Sequence, residues 1–203
     1  MQRVQKQRGF TLVEALVSLT VLALAMTGLF SLLVHNSRLN KSEQMKAETQ
    51  ANARNVLSIV VAKLRSAGWD PLGTDLFNGL TLDTNTGDTV AEITVRADYH
   101  TAGTPGTPDG LADQVDEVIV FRHVNNQILW DNDDDGNFDV LAVNISNDAD
   151  GDGTIENMFV PDSTTDPQQI TVQITAVSPV IDPITRDFSR YTVTSDVFIR
   201  KDL

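Results

Sequence analysis

The chain has 203 residues, and its formal net charge of −13 is unevenly distributed. Residues 66–203 carry 25 acidic and 6 basic side chains, a surface that repels a phosphate backbone, so no direct nucleic-acid binding is expected from them. Cysteine is absent, which excludes disulfides and thiolate chemistry.

The N-terminus combines a basic leader with a long apolar run. Arg3, Lys6 and Arg8 precede Gly9, and residues 10–34 then contain one ionisable side chain, Glu14. A bilayer is spanned by about 20 apolar residues, but an unpaired carboxylate in lipid costs about 2.5–3.5 kcal/mol. Glu14 is therefore a functional candidate. The positive-inside rule predicts a cytoplasmic N-terminus and membrane insertion through this helix.

The stretch Arg8-Gly-Phe-Thr-Leu-Val-Glu14 resembles the prepilin signature, or class III signal, of type IV pilins and type II secretion pseudopilins. This resemblance implies cleavage between Gly9 and Phe10 and N-methylation of Phe10 by a prepilin peptidase/methyltransferase. It also implies that Glu14 pairs with the N-terminal amine of a neighbouring pilin or pseudopilin subunit. Assembly would then take place on an inner-membrane platform.

Two other interpretations compete for the same residues. An ordinary secretory signal peptide would be cut after Ala23-Leu24-Ala25, although the apolar run continues for nine more residues. A simple single-span anchor explains the length of the run but provides no partner for Glu14.

The sequence predicts three segments. Residues 1–9 are the leader, residues 10–67 form a long helix whose first half is the transmembrane segment or filament core, and residues 68–203 form an extracytoplasmic head. Between residues 10 and 67 there is no proline, so the helix would be about 85 Å long at ~1.5 Å per residue. An apolar stripe in its second half predicts a face covered by a sheet: Ala53, Val56, Leu57, Val60, Val61 and Leu64.

Two glycines mark this helix. Gly28 has two interpretations that the sequence leaves open: close packing against a neighbouring helix, or a weak point that costs about 1 kcal/mol relative to alanine. Gly68 stands where a C-terminal cap is expected, and Trp69-Asp70-Pro71 does not favour continuation of the helix.

Residues after Pro71 show short alternating or β-branched runs separated by turn residues, which predict an α+β protein with an antiparallel β-rich head. Two loops are predicted by composition, at 101–110 and 163–168. The predicted strands are 80–83, 90–97, 115–124, 128–130, 138–145, 155–160, 170–177 and 191–200.

Several short matches also resemble PilW-type minor pilins, which are related to the J-type minor pseudopilins. They are Ala53-Arg54, Lys63-Leu-Arg-Ser-Ala-Gly-Trp69, Val115-Asp-Glu-Val-Ile-Val-Phe-Arg122 and Val197-Phe-Ile-Arg200. This resemblance implies a pilin-type subunit.

Motifs for catalysis are not evident in the sequence. His35, His100 and His123 have no metal-ligand spacing, and neither a phosphate-binding loop nor a Gly-x-Ser-x-Gly elbow occurs. We therefore predict that the chain is not an enzyme and has a structural role.

An acidic stretch, residues 131–156, holds nine carboxylates and no Lys or Arg, and it contains two copies of a calcium-type pattern. Each copy places side-chain oxygens at positions 1, 3 and 5 of an EF-hand-like loop, glycine at position 6, a backbone carbonyl at position 7, an apolar anchor at position 8 and a carboxylate at position 9. The first copy, loop 1, supplies Asp131, Asp133, Asp135, Asn137 and Asp139. The second, loop 2, supplies Asp148, Asp150, Asp152, Thr154 and Glu156.

Both loops depart from an EF-hand at position 12, where Ala142 and Phe159 replace the bidentate glutamate. We therefore predict Ca²⁺ loops on a β scaffold that take a further ligand from the neighbouring loop, from Asp162 or Asp166, or from water. The competing interpretation is a pair of solvated acidic turns, since Asp and Gly are also ordinary turn residues.

Together these features predict a minor pilin of a type IV pilus that acts in assembly priming or the tip complex, with a possible part in adhesion, motility or DNA uptake. The alternatives are a minor pseudopilin of a type II secretion system and a major pilin. The expected location is the inner membrane with a periplasmic head, and after assembly the pilus or cell surface.

Overall fold

The computed structural model describes residues 11–74, 76–83, 91–100, 104, 106–114, 116–132, 135–163 and 167–199. These residues form one long helix and two antiparallel sheets, which confirms the predicted α+β class. In chain order the elements are α1 (Leu12–Leu64), β1 (Leu80–Asp83), β2 (Ala91–Arg96), β3 (Val118–Val124), β4 (Gln127–Asp131), β5 (Asp139–Val143), β6 (Phe159–Pro161), β7 (Gln169–Ile181) and β8 (Phe188–Phe198).

The first sheet has the strand order β1-β2-β3-β4-β5, and the second has the order β6-β7-β8. The chain that leaves β5 joins them. Ile145 forms a bridge with Ala176 of β7, and the amide of Val177 donates to the carbonyl of Asn144 at 2.8 Å. The two sheets therefore meet along one edge of β7.

The second half of α1 packs on β7 and β8. Buried residues recur every three or four positions, which is the period of one helix face. The predicted apolar stripe is confirmed, with Leu57 only half-buried, and the buried face extends further towards the N-terminus than predicted. Its buried residues are Ser42, Met45, Thr49, Ala53, Val56, Val60, Val61 and Leu64.

The helix ends three residues before the predicted boundary at Ala67. The amides of Ser66 and Ala67 donate three residues back, to Lys63 and Leu64, so the last turn tightens. Gly68 follows with φ 74°, the left-handed conformation expected at a C-terminal cap, and its amide donates to the carbonyl of Arg96. A Cβ at Gly79 would collide with the backbone of Gly68, so glycine is required at position 79, where the two backbone segments approach each other.

All eight predicted strands are present; the first has the predicted ends, and the other seven have corrected ends. The third begins at Val118 rather than 115 because Asp116 has φ 73° and Glu117 lies in a turn, and the sixth begins at Phe159 because residues up to Met158 belong to loop 2 and its exit. The last two form a longer hairpin than predicted, reaching Ile181 and Phe188. Pro179, which lacks an amide hydrogen, is accommodated where the register shifts between Val177 and Ile181. The predicted end residues 90, 115 and 200 lie outside the described residues.

Candidate functional site

The start of α1 carries the predicted assembly residue. Thr11 caps the helix, and its hydroxyl oxygen accepts a hydrogen bond from the amide of Glu14 at 3.2 Å. Thr11 and Glu14 have the Thr-x-x-Glu spacing of a capping box, and a carboxylate in the first turn also complements the helix dipole. Glu14 is exposed. Gly9 and Phe10, the predicted cleavage and methylation residues, lie outside the described residues.

The first half of α1 has no partner among the described residues. Every residue from 11 to 41 is exposed, although this stretch is mostly apolar. In the described part of the chain, α1 is the one helix long and apolar enough to cross a membrane. The helix continues through Gly28, where an added Cβ would meet nothing within 4 Å. Both interpretations of Gly28 remain predictions.

Loop 2 brings together three of its five predicted ligands. One oxygen each from Asp148, Asp150 and Glu156 lie within 4.8 Å of one another. At that separation two carboxylates repel by about 1 kcal/mol in water, and more where water is partly excluded. The three residues occupy positions 1, 3 and 9 of the predicted calcium loop, and they present oxygens of the kind that Ca²⁺ prefers.

The backbone of loop 2 curls around Asp148. Its carboxylate accepts hydrogen bonds from the amides of Gly151 at 2.6 Å and Gly153 at 3.3 Å. Gly151 and Gly153 have φ values of 83° and 89°, which a residue with a side chain rarely adopts. Glycine at position 6 is therefore required by the backbone of the loop, as the pattern predicted.

The other two predicted ligands of loop 2, Asp152 and Thr154, are hydrogen-bonded to each other. Asp152 and Thr154 are exposed, and the carboxylate of Asp152 accepts from the amide of Thr154 at 2.6 Å. The backbone amide and then the hydroxyl of Thr154 lower the pKa of Asp152. Neither residue is part of the three-carboxylate group.

Asn147 fixes loop 2 to the sheet, and sequence reasoning missed it. This residue is fully buried. Its side-chain amide donates to the carbonyl of Glu156 at 2.7 Å, and its side-chain oxygen accepts from the amide of Thr175 in β7 at 3.1 Å. The amide of Glu156 returns a bond to the carbonyl of Asn147. Both ends of the loop are thus held at one place. The sequence signal was an asparagine directly before the loop, which tolerates the observed φ of 51°.

A cation borders loop 2. The guanidinium carbon of Arg190 would be 2.8 Å from a Cβ at Gly151, so the guanidinium packs against that backbone. Arg190 also lies 3.7 Å from a carboxylate oxygen of Asp187. It lines a cavity of about 420 Å³ together with Asp148 and Gly153.

Loop 1 is only partly described, because Asp133 lies outside the described residues. Asp131 is buried and accepts from the amide of Gly136, which has φ 80°. Asp135 accepts from the backbone and side-chain amides of Asn137. Asp139 is exposed at the start of β5. Loop 1 therefore has the predicted turn at position 6, and its ligand group remains a prediction.

The further ligands considered for the two loops have other roles or are not described. Asp162 accepts from the amides of Gln169 and Gln168, and the Gln169 amide, followed by that of Gln168, lowers the pKa of its carboxyl group. Asp166 lies outside the described residues.

The three histidines lie on separate elements. His123 is buried in β3 and its Nε2 lies 2.7 Å from the carbonyl oxygen of Ile145. Burial lowers the pKa of His123, and the bond to Ile145 opposes that effect. His100 lies 3.9 Å from Glu117, and His35 is on the exposed part of α1.

A second set of carboxylates, which sequence reasoning also missed, is buried and organises the loops at 70–74 and 98–117. Glu117 accepts from the amides of Tyr99, His100, Asp113 and Gln114. Asp98 accepts from Asp109 and Gly110, and Asp70 from Leu72, Gly73 and Thr74. Backbone donors satisfy these carboxylates, which gives them a structural role.

Comparison with known proteins identifies the N-terminus. Residues 4–30 match the family model of the prokaryotic N-terminal methylation motif. No curated protein and no solved structure matches the chain. Proteins with this motif are typically structural, are processed by a prepilin peptidase and assemble with other pilins. The chain carries the class III signal at residues 4–30, and with its long N-terminal apolar helix it is consistent with a type IV pilin-like prepilin.

Proposed function

We propose that the chain is a minor pilin that assembles at or near the tip of a type IV pilus and helps to prime or traffic it. The observation that carries this proposal is the methylation motif at the start of a helix whose apolar half is exposed and whose other half carries a β-rich head. The short matches to PilW-type minor pilins support the subtype, and a strongly acidic head is unfavourable in a densely repeated shaft. The function is structural, not enzymatic.

Processing and pairing of charges explain how such a subunit enters a filament. Removal of residues 1–9 takes away three basic side chains and creates a free amine at Phe10. A carboxylate in an apolar environment needs a cation, and the Phe10 amine of a neighbouring subunit supplies one for Glu14. A subunit shifted along the filament axis would leave both the carboxylate and the amine unpaired. The charge pair therefore favours one axial position of each subunit relative to its neighbour.

Glu14→Ala tests this role. Cleavage of the leader should remain intact, while incorporation into filaments falls, because the neighbouring amine loses its partner. Glu43→Ala is the matched control, since Glu43 is an exposed acid on the same helix beyond the apolar run. Incorporation is measured by the amount of the subunit in sheared filaments. Normal incorporation of the Glu14 variant would contradict the proposed pairing.

A minor pseudopilin of a type II secretion system is the second candidate, because the same motif and architecture serve both assemblies. A major pilin is the third. Deletion of the gene separates them. A minor pilin predicts few or no surface pili and lost twitching with normal secretion. Normal pili with failed secretion would establish the pseudopilin instead, and a deletion abolishing the bulk filament protein would indicate a major pilin.

The head, in this proposal, faces the periplasm before assembly and the cell surface afterwards, and its acidic loops bind Ca²⁺. The three clustered carboxylates of loop 2 support this binding, because their mutual repulsion is relieved by a cation. Asp148, Asp150 and Glu156 would hold the ion, and the remaining ligands would come from backbone carbonyls or water. A bound ion would stiffen loops that have no disulfide.

Thermal unfolding of the full chain in detergent, with Ca²⁺ or chelator, tests the calcium proposal. With a dissociation constant of about 10⁻⁴ M, ~10 mM Ca²⁺ stabilises a site by about 2.7 kcal/mol, which raises Tm by roughly 5–15 °C. Asp150→Asn should abolish most of the rise, and the control Asp113→Asn, an exposed acid outside both loops, should not. A Tm independent of Ca²⁺, with no heat of binding by calorimetry, would leave loop 2 as a solvated acidic turn.

A further inference from the structure

The β7–β8 hairpin runs along α1 with its turn towards the helix N-terminus. Ser195 of β8 shares a groove with Val61. Tyr191 accepts hydrogen bonds from Gln50 at 3.1 Å and Arg54 at 3.2 Å. The hydroxyl of Ser42 donates to the carboxylate of Asp182 in the turn. The turn, residues 182–187, therefore lies beside Ser42, the first buried residue of the helix.

This turn lies close to the end of the apolar run. Ser42 lies eight positions after Val34, which corresponds to about 12 Å of helix. The headgroup layer on each side of a bilayer is roughly 5–8 Å thick, and a helix tilt of about 20° lowers one side of the head further. If the first half of α1 spans the membrane before assembly, as the sequence predicts, the turn is within reach of the headgroups.

Apolar side chains are exposed around the turn. Val180, Ile181, Ile184 and Phe188 are between 41% and 55% exposed. They are contributed by the last residues of β7, the turn itself and the first residue of β8. Such a group on the side of a head that faces a bilayer is suited to partial insertion at the interface.

The charge around the turn differs from that of the rest of the head. Two of the nearby acids have a cation beside them: Asp187 lies 3.7 Å from Arg190, and Glu43 lies 3.6 Å from Lys46. Asp182 accepts from the neutral hydroxyl of Ser42 and keeps its charge, and Asp148 of loop 2 lines one cavity with Phe188 and Arg190. Three exposed cations remain, and none forms an ion pair among the described residues: Arg38, Lys41 and Arg186. Residues 66–203 as a whole are strongly acidic.

We propose that, before assembly, the β7–β8 turn docks on the surface of an anionic phospholipid bilayer. Ile184 and Phe188 enter the interface, while Arg38, Lys41 and Arg186 lie near lipid phosphates. This docking rests on the membrane-spanning role of α1 in the proposed function. The contact is broken when the subunit is drawn into a filament.

Spin labels on the full chain in nanodiscs test the docking. The chain has no cysteine, so Ile184→Cys, Leu111→Cys and Leu22→Cys each provide a single labelling site. Ile184 is 41% exposed and Leu111 is 42% exposed, which makes Leu111, in the loop that contacts Thr74 beyond the end of the helix, a matched control. In discs with phosphatidylglycerol, the label at 184 should collide more with oxygen and less with a water-soluble nickel chelate than the label at 111.

The outcomes separate the docking from the proposed function. In one outcome, the label at 22 is accessible to oxygen but not to the nickel chelate, as expected in the hydrocarbon core, while the labels at 184 and 111 are equally accessible to the chelate. That result overturns the docking and leaves the membrane span in place. If the label at 22 is itself accessible to nickel, both fail. Protection of 184 only in discs that hold two copies would assign the surface to a neighbouring subunit and overturn the lipid proposal.

Charge variants provide a second readout. Arg186→Gln should lower the ratio of docked to free heads about fivefold in phosphatidylglycerol discs, because one basic residue near an anionic surface contributes about that factor. Discs of pure phosphatidylcholine should show no such difference. Arg96→Gln, which removes a positive charge from β2, is the control and should leave the ratio unchanged. Equal ratios for both variants would contradict the role of anionic lipid.

Discussion

The two halves of α1 share one backbone but have different surroundings. From residue 11 to residue 41 every side chain is exposed, whereas from Ser42 to Leu64 a buried side chain recurs every three or four positions. Up to Val34 the first half is apolar on all sides apart from Glu14 and a few Ser and Thr residues, whereas the second half is apolar on one stripe. A helix that is apolar on every face must be surrounded by apolar groups, whereas an amphipathic helix can bury its apolar face against a single sheet.

This difference shows where each half finds its partner. The sheet that covers the second half belongs to the same chain. The first half has none among the described residues, and the proposed function assigns it a bilayer before assembly and the helices of other subunits afterwards. The methylation motif at residues 4–30 lies on this half, which agrees with a subunit that leaves the membrane to join a filament.

The largest expected effect is a difference in the free energy of unfolding when one leucine in each half is replaced by alanine. Leu64 is fully buried and Leu24 is 75% exposed. Leu64→Ala should destabilise the head by about 2–5 kcal/mol, because it removes buried surface and leaves a cavity. Leu24→Ala should leave the free energy of unfolding unchanged, as measured by urea denaturation of the full chain in detergent. Equal losses for both variants would contradict the division of the helix.

A smaller loss of stability is expected from a substitution at Ser42, the boundary between the two halves. Ser42 is buried, and its hydroxyl donates to Asp182. Ser42→Ala should reduce stability by less than Leu64→Ala, because Asp182 retains the amides of Ile184 and Thr185 as donors. Ser58→Ala is the control, since the hydroxyl of Ser58 bonds the carbonyl of Asn55 on its own helix and is exposed. A loss no greater than that of the control would mean that the turn is not fixed to α1 by this bond.

The smallest effect is a pH dependence of that same boundary. The hydroxyl of Ser42, and then the amide of Ile184, lower the pKa of Asp182. Because the charged form is favoured in the folded state, the stabilisation is fully present above the ordinary carboxyl pKa of about 3.9 and is lost as pH falls through the lowered folded value. The difference in unfolding free energy between the wild type and Ser42→Ala should be constant near neutral pH and shrink below about pH 4. A difference that grew on acidification would contradict this linkage.

The sequence predicted the parts of the fold that depend on apolar periodicity. All eight strands and the stripe from Ala53 to Leu64 follow from such patterns. Ser42 and Thr49 interrupt the pattern because they are polar. Thr49 is buried with its hydroxyl bonded to the carbonyl of Met45, and Ser42 finds a partner 140 residues away. Local periodicity does not indicate a distant polar partner.

The candidate calcium site also shows that local sequence predicts contacts within a loop but not contacts with distant residues. Spacing alone identified Asp148, Asp150 and Glu156, because ligands within one loop are determined by local sequence. Asn147 was missed because its role depends on Thr175, which lies 28 residues further along the chain. The extension of the β7–β8 hairpin was missed because Pro179 indicates a strand end, whereas the register shift accommodates it.

The mass of the mature chain tests the central claim most directly. If the N-terminal motif acts as a prepilin signal, mass spectrometry of the protein from its native host should show a chain that begins at Phe10 with one added methyl group. Loss of the prepilin peptidase should leave the chain at its full length. A mature chain that begins at Met26 would establish an ordinary signal peptide, and an uncleaved chain in the presence of the peptidase would establish a simple anchor. Either result would contradict a pilin-like subunit.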